Sequence, residues 1–118
     1  EWIESHRKWH PGDKLTVDFA MPVRILKPDE RIRSCRGMAA IARGPLVYCL
    51  ESRDNPGIDI LNCALAPNRL EAKFLPDLLG GVMMIKGFSL DGEALNFVPY
   101  YLWGNRGPSQ MTVFIQMD

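Results

Sequence analysis

Glycine and proline interrupt this chain every few residues, and that spacing restricts its fold more than any other feature. Nineteen residues are one or the other, falling among other places at Pro11-Gly12, Pro28, Gly44-Pro45, Pro56-Gly57, Pro67, Gly80-Gly81, Asp91-Gly92 and Gly107-Pro108. Proline breaks a helix interior and glycine favours turns, so there is rarely room between these marks for three helical turns. The intervals suit short strands.

Apolar residues within the intervals alternate with polar ones. Leu15, Val17 and Phe19 are set against Thr16 and Asp18, and Leu70, Ala72 and Phe74 against Glu71 and Lys73. Met111, Val113, Ile115 and Met117 are set against Thr112 and Gln116. A period of two places one face of each strand on a core. Met38 to Glu51 is almost continuously apolar, as for a central strand covered on both faces, but Gly44-Pro45 interrupts it. Proline cannot donate to a ladder, and it pushes the preceding residue toward extended geometry, so this strand is predicted to bend or bulge there. The fold class expected is all-β, an antiparallel β-sandwich or jelly-roll-like domain with little helix. One helical turn is predicted at Pro76-Asp77-Leu78-Leu79, with proline at a tolerated first-turn position.

A chain of 118 residues fits a single domain. A hydrophobic fraction of 47% against 24% charged residues places it among chains that fold rather than among disordered ones. Fourteen basic residues balance fourteen acidic ones, which gives no field for holding nucleic acid nonspecifically. No run approaches the ~18 apolar residues of a membrane span, and no basic and apolar leader opens the chain. Glu1, followed at once by a strand-like segment, reads as the start of a piece of a longer protein.

Few residues carry a signal for chemistry. His6 and His10 have the i, i+4 spacing of two metal ligands on a helix. In an extended segment at ~3.3 Å per residue they would stand roughly 13 Å apart, too far to share a zinc ion, so they read as solvent-facing or turn residues. The cysteines Cys35, Cys49 and Cys63 form no C-x-x-C pair, and an odd number cannot close a full disulfide set. Cys49 and Cys63 sit among aliphatic neighbours as small buried hydrophobes. Cys35, between Arg33 and Arg36, has the better setting for a thiolate but no visible histidine base. Asp18 and Glu51 read as outward-facing or strand-end carboxylates. Dinucleotide, phosphate and serine-hydrolase signatures are absent from the sequence.

Aromatics supply the one candidate binding surface. Tyr100, Tyr101 and Trp103 precede Gly104-Asn105-Arg106-Gly107-Pro108. Flat rings with polar tips can stack on a sugar while Asn105 and Arg106 donate hydrogen bonds, and Trp2 and Trp9 can extend such a face. The same enrichment also marks cores and protein interfaces.

Several blocks then occur in a telling order: Trp9-His10-Pro11-Gly12-Asp13, Met21-Pro22-Val23-Arg24, Ala42 to Glu51, Leu78-Leu79-Gly80-Gly81-Val82, and Pro99 to Pro108. Together, over essentially the whole chain, they resemble the C-terminal portion of glycoside hydrolase family 127, the β-L-arabinofuranosidase family. The resemblance implies a parent enzyme with a helical α/α barrel followed by β-sandwich domains, hydrolysing terminal β-L-arabinofuranosyl residues with retention. It places a zinc-bound cysteine nucleophile and a glutamate acid/base in the barrel. Nothing in this chain matches those motifs, so neither Cys35, Cys49 and Cys63 nor Glu51 inherits such a role. No catalytic residue, metal ligand or cofactor is expected here.

By the same analogy residues 1–27 are closing strands of a preceding β-sandwich domain and residues 28–118 the C-terminal one. The alternative is one β-sandwich over 1–118. The charged stretch at Lys27, Asp29, Glu30, Arg31, Arg33 and Arg36 falls at that seam. The implied role is non-catalytic support of the catalytic barrel or of subunit assembly, in a bacterial parent either cytoplasmic or periplasmic. The expected partners are the barrel and the middle β-domain, with self-association through surface they would cover. The rival function is a carbohydrate-binding module working through Tyr100, Tyr101 and Trp103.

Overall fold

The computed structural model describes residues 2–117. Eight strands form the fold: β1 (Val23–Leu26), β2 (Met38–Arg43), β3 (Leu46–Glu51), β4 (Glu71–Leu75), β5 (Val82–Phe88), β6 (Ala94–Pro99), β7 (Met111–Thr112) and β8 (Ile115–Gln116). Every strand pairing is antiparallel, and the main path runs β1-β2-β3-β6-β5-β4. Helix among the described residues is confined to 3₁₀ turns at Arg33–Cys35, Ser52–Asp54 and Tyr100–Leu102, so the chain is all-β.

The β2–β3 hairpin organises the rest. Its strands pair only near their closed end, Ala42 with Val47 and Arg43 with Leu46. At the open end the last two strands enter, β7 pairing β3 and β8 pairing β2. Leu50 is opposite both Phe97 of β6 and Thr112 of β7, so those two strands flank β3 on opposite edges. The two faces that a sandwich brings together are thus joined by a continuous ladder, and the sheet curls over its own core. Ile41, Tyr48, Leu50, Ile60, Leu65, Ile85, Leu95, Phe97 and Ile115 fill that core. The buried Tyr48 ring directs its hydroxyl to the Met83 carbonyl at 2.7 Å, so its polar tip is satisfied.

Three local expectations are corrected. Gly44-Pro45 does not bend one strand; it reverses the chain as a two-residue hairpin loop. Gly44 adopts φ +55°, the positive value that a II′ turn requires at its first central position, and proline supplies the negative φ of the second. Pro76–Leu79 is not a helical turn. Leu79 and Gly80 have φ +46° and +80°, and the Gly81 N–H donates to the Leu78 carbonyl at 2.8 Å. This I′-type reversal matches the twist of β4 and β5, which it joins. Leu15 to Phe19 forms no strand: residues 2–20 are exposed and carry no regular structure.

That N-terminal arm has one local anchor. Pro11-Gly12 makes a turn in which the Asp13 N–H donates to the His10 carbonyl, while the Asp13 carboxylate accepts from the His10 N–H at 2.9 Å. The arm explains a radius of gyration of 17.7 Å, where a compact chain of this length would show about 13–14 Å.

Candidate functional site

The densest polar cluster sits where β3 ends. From Tyr48 onward β3 is buried to its last residue, Glu51, which is fully buried rather than outward-facing. The next residues turn through the 3₁₀ segment Ser52–Asp54 and bring Asp54 beside it. Arg106 enters from the loop after β6. Its Nη1 and Nη2 donate to the two Asp54 carboxylate oxygens at 2.7 and 2.6 Å, and Nη2 also reaches Glu51 Oε2 at 2.8 Å. Glu51 Oε1 accepts from the Gly104 N–H at 3.1 Å. The hydrogen bonds it donates to Asp54 above all, then the one to Glu51, hold the guanidinium above its ordinary pKa against the opposing effect of burial.

A second layer fixes the carboxylates' backbone. Asn55, 2% exposed, donates through Nδ2 to the carbonyls of Glu51 and Asn96 and accepts the Asn96 N–H on Oδ1 at 2.7 Å. Asn96 Nδ2 donates to the Asp54 carbonyl. The Ser52 and Ser109 hydroxyls meet at 3.1 Å, and the Gln110 N–H donates to Ser52 Oγ. This network ties the loop of residues 103–110 to the end of β3. Charge-assisted bonds of this kind are about twice as strong as neutral ones, and here both carboxylates are consumed by holding a loop.

The predicted sugar-binding residues separate into three groups. Tyr100, Tyr101 and Trp103 lie on and beside the 3₁₀ turn Tyr100–Leu102 and are 48%, 63% and 40% exposed. Arg106 is committed to Glu51 and Asp54, and Asn105 donates to the Leu102 carbonyl at 3.2 Å. Trp2 and Trp9 belong to the arm, where the Arg7 guanidinium lies 4.7 Å from the Trp9 ring centroid. The sequence marks Asp54 and Asn55 only through the turn composition Asp54-Asn55-Pro56-Gly57, and carries no local sign for Asn96 in β6.

The other candidates are engaged or buried. Cys49 is fully buried; desolvation first, then the charges of Glu51 and Asp54, push its thiol up to about 12. Cys63 is half-buried, its thiol raised chiefly by burial, and it donates weakly to the Ile60 carbonyl. Cys35 is half-buried, with its Sγ 3.7 Å from the Ser34 hydroxyl. His6 contacts Glu4, and His10 lies 3.8 Å from Asp13. Among the described residues no group of three or more His, Cys, Asp or Glu is placed to share a metal ion. A cleft of about 480 Å³ lies at the charged seam, between Lys27, Asp29, Glu30, Arg36, Met38 and Met117.

Comparison with known proteins accounts for this arrangement. A profile of the glycoside hydrolase family 127 C-terminal domain matches residues 23–116, from the first residue of β1 to the last of β8. A non-reducing end β-L-arabinofuranosidase of Bifidobacterium longum subsp. longum is 35% identical over an alignment of 130 positions, covering 87% of this chain and 20% of that protein. The crystal structure of a family 127 β-L-arabinofuranosidase from Geobacillus stearothermophilus T6 superposes with a TM-score of 0.75 at 36% identity, covering 83% of this chain and 18% of the other. A second family 127 β-arabinofuranosidase gives a TM-score of 0.74 at 28% identity, covering 83% and 17%. The chain therefore spans about a fifth of the length of these relatives. With the match running through all eight strands, the chain belongs to the glycoside hydrolase family 127 C-terminal domain family.

Proposed function

We propose that this chain is a non-catalytic β-domain of a β-L-arabinofuranosidase-type hydrolase and acts by packing, supporting the catalytic part of a longer protein or its subunit assembly. The observation that carries this is the arm. Leu15, Val17 and Phe19 repeat at strand spacing and are 66%, 55% and 76% exposed, a strand pattern with no strand beside it among the described residues. Burying three such side chains against a neighbouring domain is worth on the order of 5 kcal/mol. The fate of Glu51 and Cys49 agrees: the carboxylate holds a loop and the thiol stays protonated in the core.

The test uses the chain alone with an aryl β-L-arabinofuranoside and with zinc. The expected result is an intact glycoside and no stoichiometric metal after dialysis. Release of the aryl alcohol, or one tightly held zinc per chain, would overturn the proposal.

A second function has one specific observation in its favour, the three exposed rings packed within four residues at Tyr100–Trp103. On that basis the domain holds arabinose-containing oligosaccharides by stacking. Calorimetric titration decides it: heat that disappears in Tyr101→Ala supports stacking, and no heat at millimolar sugar discards it.

A further inference from the structure

Strand β4 is one end of the sheet path, and among the described residues it pairs with β5 alone. An edge strand offers a row of unpaired backbone N–H and C=O groups, which proteins cover, charge or use for assembly. The core-facing side of this edge is left open at one end. Leu70 and Ala72 are half-buried, and Leu70 packs against the core, but Phe74 is 56% exposed where its ring lies over Gly81. On the opposite side Glu71 and Lys73 are both exposed.

We propose that β4 pairs antiparallel with β4 of a second copy of this chain, centred on Ala72, so that the sheet continues across a twofold axis. The choice of register follows from parity and charge. Residues opposite each other in an antiparallel pair point to the same face, and a twofold axis perpendicular to the sheet preserves that face. The axis must therefore pass between two copies of one residue of β4, Glu71, Ala72, Lys73 or Phe74; centring on Phe74 sets Lys73 against Leu75 and Ala72 against Pro76, which has no N–H for the ladder. Centring on Glu71 sets it against itself and Arg69 against Lys73. Centring on Lys73 sets two ammonium groups together and places Glu71 against Leu75. Like charges directly opposite are unfavourable in a sheet.

Only the Ala72 centre sets opposite charges together on the polar face with no like charges opposed, Arg69 facing Leu75 beyond them. Glu71 then opposes the second copy's Lys73, twice by symmetry, on the polar face. Leu70 opposes the second copy's Phe74, again twice, on the core face, so the exposed ring caps the open end of the neighbouring core. Glu71 is already across from Lys86 in its own sheet, and the second copy's Lys73 flanks it on the other side. The opposite edge, β1, lacks this complementarity: centring on Arg24 sets guanidinium against guanidinium, and centring on Ile25 sets Arg24 against Leu26. The same lysine that disfavours the wrong registers of β4 is the one that secures this register.

One strand pair with its flanking side chains is at the small end of specific interfaces, so the dimer is expected to have a Kd of roughly micromolar or weaker. Sedimentation of the chain from about 1 µM to about 1 mM tests it. The expected result is a concentration-dependent rise toward twice the 13.4 kDa chain mass. Lys73→Glu and Glu71→Lys, each leaving charges of one sign at 71 and 73, should weaken self-association by about tenfold or more. Mixing the two variants should restore a dimer, because each then supplies the charge the other lacks. Amide exchange of residues 71–75 in the unmodified chain should slow over the same concentration range, a readout that does not depend on the variants folding. A monomer throughout, a dimer indifferent to both substitutions, or a mixture that stays monomeric would overturn the proposal. It names a surface for the assembly role proposed above and rests on that role. None of these outcomes bears on turnover of an arabinoside, so the two fail separately.

Discussion

Removing the Arg106 guanidinium should destabilise this domain more than any other single truncation on its surface, and the geometry sets the size of the effect. Arg106→Ala takes three charge-assisted bonds away and leaves the Glu51 carboxylate, 0% exposed, with the Gly104 N–H at 3.1 Å as its remaining partner. Asp54 keeps some access to water, its side chain 15% exposed, and can rehydrate in part. Breaking a buried pair from one side costs about 3–5 kcal/mol, because the surviving charge is uncompensated. A domain of this length has roughly 6–18 kcal/mol of total stability, so the variant folds but is weakened visibly. In urea, with circular dichroism as the probe, the midpoint should fall by roughly 2 M. Glu51→Gln keeps the side chain's volume but only one acceptor oxygen, so its amide nitrogen faces either the Gly104 N–H or Arg106 Nη2; with Arg106 still held by Asp54 it should cost about 1–3 kcal/mol, less than Arg106→Ala. The double variant Arg106→Ala/Glu51→Gln should be more stable than Arg106→Ala by about 1–3 kcal/mol, since no buried charge is then stranded. A cost under about 1 kcal/mol for Arg106→Ala, or a double variant no better than the single, would refute the reasoning.

Gly87 and Cys49 give two further probes of the core. A Cβ on Gly87 would lie 2.8 Å from Leu70 Cδ2 and 3.3 Å from Phe97 Cε2, so Gly87→Ala should cost about 1–3 kcal/mol in the same urea assay, and Leu70→Ala in the same chain should relieve part of it. Cys49 should resist iodoacetamide at pH 8 in the folded chain and react on unfolding, as mass spectrometry of labelled peptides would show. With its thiol raised from 9 to about 12, the folded state holds a proton between those values that the unfolded chain has lost, so stability falls as pH rises through that window. Cys49→Ala should flatten that fall, and an unchanged slope between pH 8 and 10 would count against the assignment.

What could be seen in the sequence was what depends on neighbours along the chain. Period-two alternation located β4 and the β7–β8 region, and the apolar run Met38–Glu51 located β2 and β3, because side-chain direction in a strand is set one residue at a time. Gly44-Pro45 was visible as an interruption but not as a reversal; that depended on a positive φ at Gly44, which proline's influence on its predecessor argues against. Pro76 favoured a helical start, yet the hairpin's twist selected a left-handed turn at Leu79 and Gly80 instead. Leu15 to Phe19 has the alternation of a strand, but a strand exists only beside another, and none lies beside it among the described residues. Most of the polar cluster was out of reach for a similar reason. Glu51 and Arg106 are separated by 55 residues, and nothing in the spacing around either one announces the other.

Strand β3 changes partners along its length, pairing with β2 at Leu46 and Val47 and with β6 from Tyr48 to Leu50. Its backbone belongs to both halves of the sheet, and its last residue also receives the guanidinium that restrains the following loop. Neither half retains a complete set of amide partners if β3 detaches. The domain therefore has no inner boundary along which to come apart in stages, and disorder beginning in this one strand spreads to all the others.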